Sequence, residues 1–270
     1  MKPWVATMLA SGALFAGAWQ VAPRTERSLT ELARPIAAPL TLPFLWVGLA
    51  EATRREAPEE VIARGRVLLG LLPCWPDGYL HLAHPLAFDA ADNTTLDVAV
   101  DRLMACLALL DEARERCPGE AAEYHLAQAF FAEQRGASSP EFADRFHTRT
   151  GTDPLEAADR YLELAERADP ESEAIVRKAF LTVQMIGLAL RNGDVTRALA
   201  TLDRADEALG QLEAGRIGNG LPATRENARA HRTSLARLRA YLTGDPAISA
   251  KSLRADRYLE DITVNLPTGR

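Results

Sequence analysis

One spacing constrains this chain more than any other: a small residue, a leucine four positions on, and a second small residue three beyond that. It occurs as Ala158, Leu162 and Ala165, and again forty residues later as Ala198, Leu202 and Ala205. Positions three and four apart share one face of an α-helix, so each set forms a stripe on a single helix. A stripe of alanines lets a second helix come close, and the stripe is buried only when it does. Asp153-Pro154 and Gly193-Asp194 open these helices, and Asp169-Pro170 stops the first. The region between Asp153 and Gly210 therefore predicts short helices packed in pairs.

The rest of the composition agrees. Ala, Leu, Arg and Glu dominate, Val and Ile are sparse, and no alternating run of strand length stands out. The 270 residues are 47% hydrophobic, enough for one large core or two small ones. A net charge of −6 and a pI near 5.5 argue against a nucleic-acid partner, which needs a clustered basic face. Of 31 basic residues only Lys2, Lys178 and Lys251 are lysines. Such an arginine excess fits either anion recognition or codon bias.

The N-terminus carries a second signal. Residues 4–22 hold no charged side chain, and nineteen helical residues span about 28 Å, close to a bilayer core. Residues 1–22 read as an uncleaved membrane anchor, as an export signal cut near Ala16-Gly17-Ala18, or as neither. Lys2 lies on one side of the run and Arg24, Arg27 and Arg34 on the other, so the membrane side stays open. Prolines 23, 35, 39 and 43 make residues 23–42 a Pro-rich tether.

Beyond it the sequence predicts helices over 44–56, from Pro58, from Asp77, up to Cys117, and over 121–135, 153–168, 173–191, 194–213 and 223–242. A last helix ends near Asp261, and residues 263–270 form a tail. Residues 73–78 read as a turn. Pro85 predicts a kink or an early end near His84. Residues 136–152 read as an irregular loop inserted in a helical hairpin. Asn93-Thr94-Thr95 reads as a helix N-cap and is formally also a glycosylation sequon. Three cysteines provide neither a disulfide framework nor metal-ligand spacing, and read as separate thiols.

Two-helix units of about 35 to 45 residues punctuated by Pro or Gly-Asp are the sequence form of a helical solenoid. Over residues 43–262 the chain resembles tetratricopeptide repeats. The resemblance rests on Gly193, Asp194, Ala198, Leu202 and Ala205, on Ala158, Leu162, Ala165, Asp169 and Pro170, and on Pro73 with Tyr79, Leu82, Ala83 and Leu86. Irregular unit spacing, Pro85 within a first helix and Val61 where the family prefers Ala mark it as a degenerate member. The resemblance implies an all-α, right-handed α-α solenoid of about five hairpins, preceded by an N-terminal hydrophobic helix. It also implies a concave groove lined by the first helix of each unit, which places His81, His84, His125 and His231 at or beside that groove.

No phosphate loop, dinucleotide turn, nucleophile elbow or paired zinc-ligand motif occurs, and no cofactor or resident metal is expected. Gly215 to Gly220 resembles a phosphate loop in glycine content alone. The functional expectation is a membrane-tethered scaffold that binds a protein or peptide through Tyr79, His81, His84, Phe88, Tyr124 and His125. Two other functions fit the same residues. One is a metal-assisted enzyme built on His81, His84 and Asp89, with Asp92 nearby. The other is a purely structural part of an envelope assembly. The oligomeric state and the process are not legible.

Overall fold

The computed structural model describes residues 29–55, 58–72, 74–88, 95–218, 220–263 and 266. Among them every regular element is a helix. No helix of the described residues is long and apolar enough to cross a membrane. The expected anchor or signal in residues 1–22 lies outside the described residues, as does nearly all of the tail. The chain divides into two compact units, Met1–Leu71 and Leu72–Arg270, which are taken separately.

The first unit pairs α1 (Leu29–Arg54) with α2 (Pro58–Leu71). Leu49, Ala52, Val61, Leu68 and Leu69 are buried. From residue 29 onward the expected Pro-rich tether is helical, and α1 runs through Pro35, Pro39 and Pro43. Prolines four apart remove amide donors along one face only, and the rest of the hydrogen-bond ladder continues past them.

The second unit begins with α3 (Pro76–Phe88) and α4 (Leu96–Arg116), followed by a 3-10 turn at Pro118–Glu120. Then come α5 (Ala121–Ser138), α6 (Pro140–Thr150), α7 (Pro154–Ala168), α8 (Ala174–Arg191), α9 (Val195–Glu213) and α10 (Pro222–Leu242), with the short α11 (Ala250–Arg254) and α12 (Glu260–Thr263) last. Helices touch in chain order: α3 with α4, α4 with α5, α5 with α7, α7 with α8, α8 with α9, and α9 with α10. The two alanine stripes are fully buried. Ala158, Ala165, Ala198 and Ala205 are 0% exposed, and Leu162 and Leu202 are 1% exposed. Ala129 and Ala132 of α5 share a buried cluster with the α7 stripe and with Ala174 and Leu181 of α8. Gly136 extends this close approach: a Cβ there would lie 2.7 Å from the Pro154 Cβ.

The expected loop at 136–152 is a helix. Ser139 accepts a hydrogen bond from the Phe142 amide at 3.0 Å, Pro140 occupies the first turn, and Gly151 closes the C-terminus in the left-handed region at φ 74°. Phe142 and Phe146, four apart, turn the apolar face of α6 inward. On its polar side Arg145 pairs with Asp97, and Arg149 with Asp101 at 2.6 Å, so α6 is clamped to α4 as well as packed on α5.

Three more expectations change. Helix α3 starts at Pro76, within the expected turn, where the Trp75 ring covers Gly78 so closely that no Cβ fits beneath it. The same helix continues past Pro85 to Phe88. The expected last helix is two short ones, because Asp256 caps a new turn at the Tyr258 amide between them.

The cysteines also differ from the sequence reading. Cys74 and Cys117 form a disulfide, with Cα atoms 5.2 Å apart across 43 positions. The bridge joins the segment before α3 to the end of α4. Sequence spacing could not reveal a pair that meets only when a helical hairpin folds back on itself. Cys106 remains a buried thiol, which desolvation pushes up to about 12.

Candidate functional site

The six residues expected to meet a partner divide into two groups. Tyr79 and Tyr124 are 0% exposed and meet edge to face, with ring centroids 6.1 Å apart. Among the described residues the Tyr124 hydroxyl has no hydrogen-bond partner, while the Tyr79 hydroxyl lies near the Arg116 guanidinium. Burial raises both phenols, Tyr124 to about 12. They lie in the interface between α3 and α5.

His125 is also interior, at 4% exposed. Its Nδ1 lies 2.9 Å from Gln128 Oε1, and Gln128 Nε2 donates to the Leu107 carbonyl and to Asp111 Oδ1, both at 3.1 Å. This network ties α5 to α4, and the His125 ring stacks on Tyr161 of α7 at 6.3 Å. Burial lowers the His125 pKa, keeping its ring neutral. Tyr79, Tyr124 and His125 therefore stand behind the surface, where a docked partner does not touch them.

His81, His84 and Phe88 are on the surface of α3, the two histidines exposed and Phe88 half-buried. The His84 ring is 5.0 Å from Phe88, which in turn is 6.2 Å from Phe130 and 5.7 Å from Phe131 of α5. Phe130 is half-buried, and the Arg177 guanidinium of α8 stands 5.5 Å over its ring. Arg177 also donates to the Leu126 carbonyl at 3.4 Å. One turn along α8, Phe180 lies 5.4 Å from His231 of α10, and Tyr258 follows at 4.8 Å from the same imidazole. Burial lowers the His231 pKa, partly offset by Asp256.

Apart from Tyr258, in the turn between α11 and α12, these side chains sit on α3, α5, α8 and α10, one helix from each successive pair. The sequence placed His84, Phe88 and His231 here but missed Phe130, Arg177, Phe180 and Tyr258. Phe130 was findable: of two adjacent phenylalanines on a helix, only one can point directly into the core. Phe131 takes that place at 4% exposed.

Of the alternative metal-assisted site, His81 and His84 lie on α3, while Asp89 and Asp92 fall outside the described residues. Among the described residues no group of three or more His, Cys, Asp or Glu side chains is placed to hold a metal ion. Gly215, Gly218 and Gly220 all have positive φ and join α9 to α10, helix to helix, so no strand presents them to a phosphate.

Two clefts accompany the aromatic row. One, of about 610 Å³ between α10 and the C-terminal turns, is lined by Arg229, Ser234, Arg237, Asp256 and Tyr258 among others. Several of its charges are engaged: Asp256 accepts from Ser234 at 2.9 Å and from Arg237 at 2.7 Å, and Arg229 pairs with Glu213 at 2.7 Å. The other, of about 520 Å³, is acidic, with Glu120, Glu123, Asp169 and Glu173 in its lining. Burial, reinforced by Glu120 and Asp77, raises the Glu123 carboxyl.

The arginine excess has a structural use at several further places. Arg191 reaches Asp153 at 2.9 Å, Arg197 reaches Glu156 at 2.7 Å, and Arg232 joins Asp206 and Glu213 at 2.8 and 2.9 Å. Each links one helix of the array, or its cap, to another. Compared with protein-family models, with curated proteins and with solved structures, the chain finds no match in any of the three.

Proposed function

We propose that this protein is a scaffold: a right-handed solenoid of TPR-like hairpins, tethered to a membrane by its N-terminal apolar segment. It holds an extended peptide or a helix of another protein against the first helices of its hairpins. The observation that carries this reading is the row His84, Phe88, Phe130, Arg177, Phe180 and His231. Half-exposed aromatic rings already fixed by their neighbours offer a partner apolar area with little further loss of side-chain freedom. Arg177 and the exposed histidines supply donors to a peptide's carbonyl groups. Tyr79, Tyr124 and His125 serve the same surface from behind, by fixing α3 and α5 relative to each other and to α4.

A photo-crosslinking side chain placed at Phe130, with an identical one at exposed Arg167 on α7 for comparison, tests the reading in native membranes. The expected result is a discrete adduct from position 130 that is absent from position 167. It should disappear when His84→Ala and Phe88→Ala are combined, with far-UV circular dichroism unchanged. Equal adducts from both positions, or an adduct indifferent to the double substitution, refute the groove.

A further inference from the structure

The Cys74–Cys117 pair has no part in the groove, and its placement bears on a different question: which compartment the helical unit occupies. Cys74 is exposed ahead of α3, whereas Cys117 is 2% exposed at the end of α4. Their Cα separation of 5.2 Å lies inside the range a disulfide spans without backbone movement. The third thiol is held out of competition by position. Cys106 is 0% exposed, and eleven helical residues place it about 16 Å along α4 from Cys117.

We propose that Cys74 and Cys117 are oxidised by thiol–disulfide exchange with a disulfide-carrying oxidoreductase, and that the unit from Leu72 onward therefore lies on the non-cytoplasmic side of the membrane. The exposed Cys74 thiolate attacks the oxidoreductase disulfide, forming a mixed disulfide and expelling one thiolate of that protein. The Cys117 thiolate then attacks the Cys74 sulfur and expels the second. This chain loses two electrons and two thiol protons, and the oxidoreductase leaves as a dithiol. Such bridges form and persist in oxidising compartments, whereas cytosolic thiols are kept reduced. The bridge thus settles an orientation that Lys2 on one flank and Arg24, Arg27 and Arg34 on the other leave balanced. The membrane placement rests on the tethered reading of residues 4–22; the exchange itself does not.

The test counts thiols in the full chain, expressed with its own N-terminus in a bacterial host. Cells are quenched in acid, and the denatured protein is alkylated with a maleimide polymer before or after reduction. The expected pattern is one adduct before reduction and three after, and for Cys74→Ser two adducts under both conditions. Three adducts without reduction overturn the proposal. In spheroplasts, a membrane-impermeant reductant added outside should convert one adduct to three. Conversion by a permeant reductant alone overturns the placement. Alkaline carbonate extraction reads the tether separately: a fully released protein that keeps the one-to-three pattern sinks the tether and leaves the exchange standing.

Discussion

Ala205 gives the most direct check on the close-packed alanine stripes. It is 0% exposed on α9, in a buried cluster that also contains Ile186 of α8 and Leu235 and Leu238 of α10. Ala205→Leu inserts three further carbon atoms where no space exists. Overpacking of this kind costs about 1–3 kcal/mol, because neighbouring side chains leave their rotamer minima or the helices separate. Ala200→Leu is the control: it lies on the same helix, fully within the same regular segment, and is exposed. The intrinsic helix preferences of Ala and Leu differ by only about 0.2 kcal/mol, so the control should be nearly silent. For a chain of this size each kcal/mol moves the melting temperature by roughly 2–4 °C, so Ala205→Leu should melt about 2–12 °C below the parent. Far-UV circular dichroism through a thermal ramp, with urea unfolding as a second measure, reads both variants. If Ala205→Leu and Ala200→Leu melt together, the helices do not approach each other through these alanines and the packing argument fails.

Gly136→Ala should destabilise even though Ala is the better helix former by roughly 0.5–1 kcal/mol. The added methyl meets the Pro154 Cβ at 2.7 Å, and a net loss on the order of 1 kcal/mol in urea unfolding is expected; a gain would refute the close contact of α5 with α7. Reducing the Cys74–Cys117 bridge releases a loop closed across 43 positions, which chain entropy values at about 4 kcal/mol. A Cys74→Ser, Cys117→Ser double variant that unfolds at the parent's urea midpoint would show that the bridge constrains nothing. Acidification provides a fourth test. His125 and His231 titrate below the ordinary histidine value of 6.5 in the folded chain, so between those values the unfolded chain binds more protons. Stability is therefore lost as pH falls below about 6.5, by at most about 1.4 kcal/mol per pH unit for each histidine. Burial raises Glu133, Asp153 and Asp159, which act in the opposite direction. The readout is thus the difference between the parent and a His125→Gln, His231→Gln variant at pH 7.5 and 5.5; parallel pH profiles would exclude the histidines as its cause.

What the sequence made legible was local. Capping residues, prolines and the alanine spacing act within a turn or two of helix, and they placed α4, α5 and α7 to α10 to within a few residues. The helix at 140–150 is hard to see in sequence because Ser139, Pro140 and Gly151 read equally well as loop punctuation. They are instead the two ends of a helix whose inward face is only Phe142, Ala143 and Phe146. Helix α1 was missed for the converse reason: its prolines look disruptive singly and are tolerated at a spacing of four. The site was less legible still. Tyr79 and Tyr124 look alike in sequence whether they face a groove or a neighbouring helix, and the choice depends on a rotation of one residue, about 100°. The cysteine pair lay beyond local reasoning altogether, since its partners meet only through tertiary folding.

Helix α6 has a mechanical consequence. In an array where each helical pair touches only its neighbours, tension applied at the ends peels the pairs away one at a time. Here α6 belongs in chain order to the α5–α7 pair yet is bolted by Arg145 and Arg149 onto α4 of the pair before it. It works as a cross-brace. Pulled from its ends, the stretch from Leu96 to Ala168 should give way as a single block, held also by the Arg191–Asp153 and Arg197–Glu156 pairs that reach it from α8 and α9.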